Sequence, residues 1–214
     1  MSPNRVRVKI CGLTGPEDAR AAIAAGADAL GFNLWPGSKR HIRLDDHAAW
    51  IAQLPPYATR VALLVNAPLE EARRVANHPA IDLVQFHGDE SAEYLAEFAQ
   101  LGRPFVVAWR LHDRAQIAAA RALPTPHLLI DAAVPGAYGG TGQIIDFSLA
   151  REFLVQNGDR SIILAGGLTP SNVKAAVEGV HPYAVDVASG VESAPGKKDV
   201  EKMRAFVQAA QSAL

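Results

Sequence analysis

The feature that most constrains this chain is a repeat of form rather than of sequence. A short β-branched, apolar run is followed by an alanine-rich amphipathic run, eight times over. The strand-like runs fall at 5–11, 29–34, 60–66, 83–87, 105–111, 127–131, 161–165 and 184–188. The helical runs fall at 16–25, 44–53, 69–77, 91–100, 114–122, 148–156, 170–178 and 199–213. Strands that alternate with helices predict βα units and a parallel sheet. VALLV at 61–65 and SIILA at 161–165 are apolar without alternation, as a strand buried on both faces must be.

Eight such units in 214 residues predict a compact (β/α)8 TIM barrel, expected to fill one domain over 1–214 with no linker or low-complexity segment. The competitor is an open, doubly wound sheet. Its dinucleotide-binding form carries G-x-G-x-x-G directly after the first strand, whereas this strand runs into Cys11-Gly12-Leu13-Thr14. Thr14 ahead of Pro16, Asp113 ahead of Arg114 and Thr169 ahead of Pro170 read as helix starts. Gly26, Gly102 and Pro124 read as ends.

A net charge of −1 gives no electrostatic reason to expect nucleic acid or an anionic membrane as partner. Any anion must therefore be held by a local site. No stretch reaches the roughly 20 apolar residues of a membrane span. Cys11 is the sole cysteine, so an intramolecular disulfide and a thiolate zinc cluster are both ruled out. The lead MSPNRVRVKICG lacks the apolar core and cleavage site of a signal peptide. A cytoplasmic location is expected. Oligomeric state stays open, with the monomer favoured.

In a closed barrel of this kind the active site is built from loops at the C-terminal ends of the strands. That rule gathers Cys11, Arg40, His87, Asp131, Gly166, Gly167, Asp186, Ser189 and Gly190 into one candidate site. The glycine pairs matter most. LAGGLTPSNV after strand seven and DVASGVE at strand eight free backbone amides beside a helix start, which is an anion cradle. The loops after strands seven and eight are also where this fold recurrently holds phosphate. Tight turns alone would use the same glycines.

The remaining residues keep two readings each. Cys11 is either a buried small hydrophobe or a base, and as a base it needs a lowered pKa. Arg7 and Lys9 share its strand parity, so a positive neighbour is allowed. Asp131 ends the apolar run HLLID, where an unused carboxylate is costly to desolvate. Gly136–Gly142 is either a lid or an ordinary exposed loop. Arg40 is a solvated loop cation or a fork for a carboxylate. His87 has a weak claim, and Asp186 reads as an organiser of loops.

These residues sit in segments that resemble one family. KICGLT at 9–14, GFNLWPGSKRHI at 31–42, QFHGDE at 85–90, LLID at 128–131, GGTG at 139–142, LAGGLTPSNV at 164–173 and DVASGVESAPGKKD at 186–199 look like phosphoribosylanthranilate isomerase of tryptophan biosynthesis. They occur in the family's order. Departures are QFHG for the usual QLHG, DFS after GGTG, and DVASG for DVSSG. The resemblance implies an Amadori rearrangement of a phosphorylated small-molecule substrate, with no metal and no cofactor. Asp131 would be the general acid and Cys11 the general base. Arg40 would hold the anthranilate carboxylate, and the last two strand loops the phosphate.

Two rivals remain, one an enzyme and one not. The histidine-pathway isomerase of the same chemistry carries Asp where this chain has Cys11, and its substrate has two phosphates. A barrel that only binds a sugar phosphate for regulation would not need Cys11 and Asp131 together.

Overall fold

Side-chain parity along a parallel strand decides which residues enter a barrel and which face the helices. In the computed structural model, which describes residues 5–132 and 145–213, that parity closes a ring. The strands are β1 (Arg7–Cys11), β2 (Ala29–Asn33), β3 (Thr59–Leu64), β4 (Leu83–Phe86), β5 (Phe105–Leu111), β6 (His127–Ala132), β7 (Ser161–Leu164) and β8 (Ala184–Val187). They pair in sequence order, all parallel, and β8 returns to β1. The helices are α1 (Pro16–Ala24), α2 (Leu44–Ala52), α3 (Leu69–Ala76), α4 (Ala92–Ala99), α5 (Ala115–Ala119), α6 (Phe147–Gln156), α7 (Val173–Val180) and α8 (Val200–Gln211). This is the (β/α)8 barrel that the alternation predicts.

Two cores result. Val8, Ile10, Phe32, Leu64, Phe86, Val107, Ile130, Leu164 and Val187 point outward into the large core under the helices. Opposite-parity residues fill the barrel interior with small clusters, Val106, Ala108, Leu129 and Ala165 in one, Cys11, Val61 and Leu63 in another. Polar residues of that inward parity, near the strand ends, make the mouth. Phe86 packs edge-to-face on Phe98 and Phe105 with centroids 4.8 and 5.8 Å away. The departure to QFHG therefore fills the outer core and leaves the site untouched.

Several helix starts differ from expectation. Thr14 does not cap α1, whose N-cap is Gly15; its hydroxyl donates to the Gly196 carbonyl instead, at 2.8 Å. Thr169 does not cap α7 either. The helix begins at Val173, because Asn172 Oδ1 takes the Thr169 N–H and holds 169–172 as a turn. Asp113 does act near its helix, accepting from Gln116 N–H at 3.2 Å. The extra element unseen in the sequence is a small antiparallel hairpin, β9 (Glu192–Ala194) with β10 (Lys197–Lys198), folded after β8. The expected lid at 136–142 lies outside the described residues. Among the described residues, no helix is long and apolar enough to cross a membrane.

Candidate active site

The inward residues at the C-terminal strand ends line a cavity of about 600 Å³, a size suited to a small ligand. Cys11, Arg40, His87, Asp131, Gly166, Gly167, Asp186, Ser189 and Gly190 all line it. Every site residue expected from the sequence is brought to one cavity. Asn33, Trp35, Leu63 and Glu192 join them.

On the β1 side the site is dense with charge. Lys9, two residues before Cys11 and of the same parity, donates from Nζ to Asp186 Oδ1 at 2.7 Å. Both side chains are almost fully buried. The β1–β8 pairing forces this contact, since Lys9 and Asp186 are register partners. Burial opposes the Lys9 charge, but the neighbouring Asp186 carboxylate, with the Cys11 sulfur, more than offsets it and holds the ammonium pKa up. For Cys11 the balance runs the other way. Burial pushes its thiol up, the Asp186 carboxylate adds to that, and Lys9 and Lys198 pull it down without winning. The lowered pKa expected of a base is thus not found, because desolvation of a thiolate outweighs two cations.

Arg40 is not the solvated loop cation of one sequence reading. The β2 loop folds back on itself, with Asn33 and His41 bridged and Ile42 N–H bound to Asn33 O at 2.9 Å. Its guanidinium then meets Glu192 in a two-pronged pair, Nε to Oε1 and Nη2 to Oε2, each 2.7 Å. Gly12 makes room: it has φ 76°, and a Cβ there would stand 2.3 Å from Arg40 Cδ. Glu192 also takes the Lys198 ammonium at 2.8 Å, and Lys198 reaches the Ala188 carbonyl at 3.0 Å. Burial opposes the Glu192 charge, yet Arg40 and Lys198 hold its carboxyl below the usual range. One edge of the Arg40 fork is therefore committed to Glu192, and a ligand carboxylate would meet the other.

Sequence reasoning missed Glu192 and Lys198. They lie in the SGVE and PGKKD segments that carried the family likeness, but nothing local says that a two-residue strand will turn Lys198 inward. Lys9 was flagged by parity alone, and parity was sufficient.

Across the mouth, three strands away round the ring, stands Asp131. Its Oδ1 accepts from the Ala132 amide at 2.8 Å, and Oδ2 lies 3.3 Å from His87 Nε2. His87 is buried and contacts Gln85 through Nδ1 at 3.1 Å. His87 Nε2 thus stands beside Asp131 without an aligned hydrogen bond to it.

Between the two sides run the glycine turns. Gly166 and Gly167 have φ 87° and 62°, and a Cβ at Gly166 would lie 2.8 Å from Ala132 N. At Gly190 it would lie 1.9 Å from Leu168 O. The amides of Gly166, Gly167 and Leu168 donate to no backbone carbonyl among the described residues. Unclaimed amides on a glycine turn that lines a cavity form an anion-binding concavity.

A family model described as N-(5'-phosphoribosyl)anthranilate (PRA) isomerase matches residues 8–209. A relative from Trichlorobacter lovleyi, named N-(5'-phosphoribosyl)anthranilate isomerase, is 44% identical over 98% of this chain and 100% of its own length. The crystal structure of phosphoribosyl anthranilate isomerase from Thermotoga maritima superposes with TM-score 0.86 at 37% identity, over 96% of this chain and 98% of that one. A phosphoribosyl anthranilate isomerase in complex with reduced 1-(o-carboxyphenylamino)-1-deoxyribulose 5-phosphate gives TM-score 0.83 at 36% identity, over the same shares. By sequence along nearly its full length, and by the barrel built from it, the chain belongs to the N-(5'-phosphoribosyl)anthranilate isomerase family.

Proposed function

We propose that this protein isomerises N-(5-phosphoribosyl)anthranilate to 1-(2-carboxyphenylamino)-1-deoxyribulose 5-phosphate in tryptophan biosynthesis, as a cytoplasmic enzyme. The observation that carries the reading is that Cys11 and Asp131 face one cavity from strands well apart, with unclaimed glycine amides between them. An Amadori rearrangement needs an acid and a base that do not neutralise each other, and this separation provides them.

Asp131 gives a proton to the furanose ring oxygen. The C1–O bond breaks with its electron pair going to that oxygen, while the amine nitrogen forms C1=N. The resulting cationic Schiff base acidifies the C2 hydrogen, which the Cys11 thiolate removes. The enol-amine then takes a proton at C1 and gives up the proton of its C2 hydroxyl, so that C2 becomes the ketone. No electron is gained or lost, so no redox cofactor is required. Burial holds the thiol up. A cation forming beside it favours the thiolate at the moment a base is needed. Arg40 orients the anthranilate carboxylate, Ser189 and the glycines at 166, 167 and 190 take the phosphate, and Asp186 keeps Lys9 beside the sulfur.

The test is direct. Phosphoribosylanthranilate made in situ should lose its fluorescence when the protein is added. Unchanged decay, with an aminoaldose carrying two phosphates turned over instead, would move the protein to the histidine-pathway chemistry.

A further inference from the structure

Gln85 is a buried amide with one partner and one orphan. It lies on β4 two residues before His87, so both side chains enter the barrel. It is 1% exposed, and its Nε2 lies 3.1 Å from His87 Nδ1. Its Oε1 has no hydrogen-bond partner among the described residues. On the far side of the ring, His87 Nε2 also lacks an aligned partner, yet Asp131 Oδ2 is only 3.3 Å away. Because Asp131 Oδ1 is taken by the Ala132 amide, Oδ2 is the oxygen that faces the imidazole. The three side chains form a line from the barrel interior to the mouth.

An amide nitrogen donates and cannot accept. His87 Nδ1 must then be bare, and the proton of the neutral ring must sit on Nε2, facing Asp131. A leucine at position 85 would fill similar space without burying an unmatched oxygen. The amide is unfavourable as packing and makes sense as an orienter of the ring.

We propose that Gln85 is a positioning residue for the acid step, fixing His87 as its Nε2–H tautomer so that the imidazole donates to Asp131 as that residue becomes a carboxylate. The proposal rests on the isomerase reading above. During ring opening the proton leaves Asp131 for the furanose oxygen, and the electron pair of the broken O–H bond stays on Asp131. His87 keeps its own proton throughout. A donor aimed at Oδ2 binds a neutral acid weakly and a carboxylate strongly. It therefore favours the transition state over the ground state. Its present length and poor alignment fit a contact that tightens as charge develops. The amide turned over would do the reverse. It would place a lone pair of Nε2 against Oδ2 and oppose loss of the Asp131 proton.

The tautomer can be read without substrate, by nitrogen NMR of protein carrying 15N-histidine, with His87 assigned through His87→Phe. The expected spectrum has a pyrrole-like Nε2 and a pyridine-like Nδ1 in the neutral ring. Gln85→Leu should mix the two forms and lower kcat about tenfold, the scale of one charge-assisted hydrogen bond, with KM nearly unchanged. Gln85→Glu, which can only accept, should draw the proton to Nδ1 and lower kcat further. An active wild type with Nδ1–H, or a folded Gln85→Leu with wild-type kcat, overturns the assignment of Gln85. If the leucine variant does not fold, the wild-type spectrum and Gln85→Glu still decide it. An inactive wild type with the Nε2–H spectrum would instead overturn the isomerase reading, and the acid step with it.

Discussion

The two sides of the barrel mouth solve opposite problems with different materials. Around Cys11 the chain gathers Lys9, Asp186, Arg40, Glu192 and Lys198, all paired within 2.8 Å. Around Asp131 it places a neutral amide and an imidazole, with two buried polar atoms left without aligned partners among the described residues. The Cys11 side is electrostatic and already satisfied. The Asp131 side is built of hydrogen bonds and, among the described residues, still incomplete. A thiolate buried from water needs fixed cations, whereas a carboxylic acid that must give up a proton needs a donor whose bond strengthens only then.

The largest effect should come from removing either centre outright. Cys11→Ser and Asp131→Asn should each lose about 10²–10⁴-fold in kcat, with KM moving little. Serine should be nearly as poor as alanine at position 11, since its hydroxyl supplies no anion near neutral pH. Full activity in Cys11→Ser would reduce the base side to packing and erase the contrast.

Next come the charges that bear on the thiol. Lys9 lowers the Cys11 pKa and Asp186 raises it, so their removal should act in opposite directions. Lys9→Met should move the rise of kcat/KM to higher pH and slow the neutral-pH reaction roughly 10- to 10²-fold. Asp186→Asn should move that rise to lower pH, with Lys9 and Lys198 still lowering the thiol pKa. Lys9→Met also strands a buried carboxylate, and should cost about 3–5 kcal/mol of stability in urea. Shifts of the same sign in both variants would refute the electrostatic account.

Glu192→Gln should have a smaller, binding-level effect. It loosens the Arg40 fork, so KM for anthranilate-bearing ligands should rise about tenfold while kcat holds. Its stability signature has a definite sign. The Glu192 carboxyl lies below the ordinary range because Arg40 and Lys198 outweigh its burial. Its stabilisation is then complete above the unfolded glutamate pKa and is lost as pH falls through the lower, folded value. Urea unfolding between neutral and acid pH should show this loss in the wild type and a flatter profile in Glu192→Gln. The smallest effect is on the ground between the two sides. Inorganic phosphate should compete with substrate at roughly millimolar levels. Purely uncompetitive inhibition would place the phosphate group away from Gly166 and Gly190.

Much of this was legible in the sequence because a barrel converts position into place. Eight alternations gave the ring, and strand-end position put Cys11, His87, Asp131 and Asp186 at one mouth. The helix caps at Thr14 and Thr169 misled, since each residue had a competing use in a tertiary contact or a turn. His87 has only a weak claim from sequence, because nothing in QFHG shows that Asp131, 44 residues later, will stand opposite its Nε2.

Local pattern along the chain fixes the βα period, the inward and outward parity of each strand, and therefore which residues could meet ligand. Those are local properties of a backbone with fixed repeat distances. Which inward residues pair with which was decided only by closure of the ring. The β1–β8 register set Lys9 beside Asp186, and the hairpin after β8 carried Glu192 to Arg40, 152 residues away in the chain. Charge balance depends on through-space distance and burial, and neither exists until the last strand has found the first.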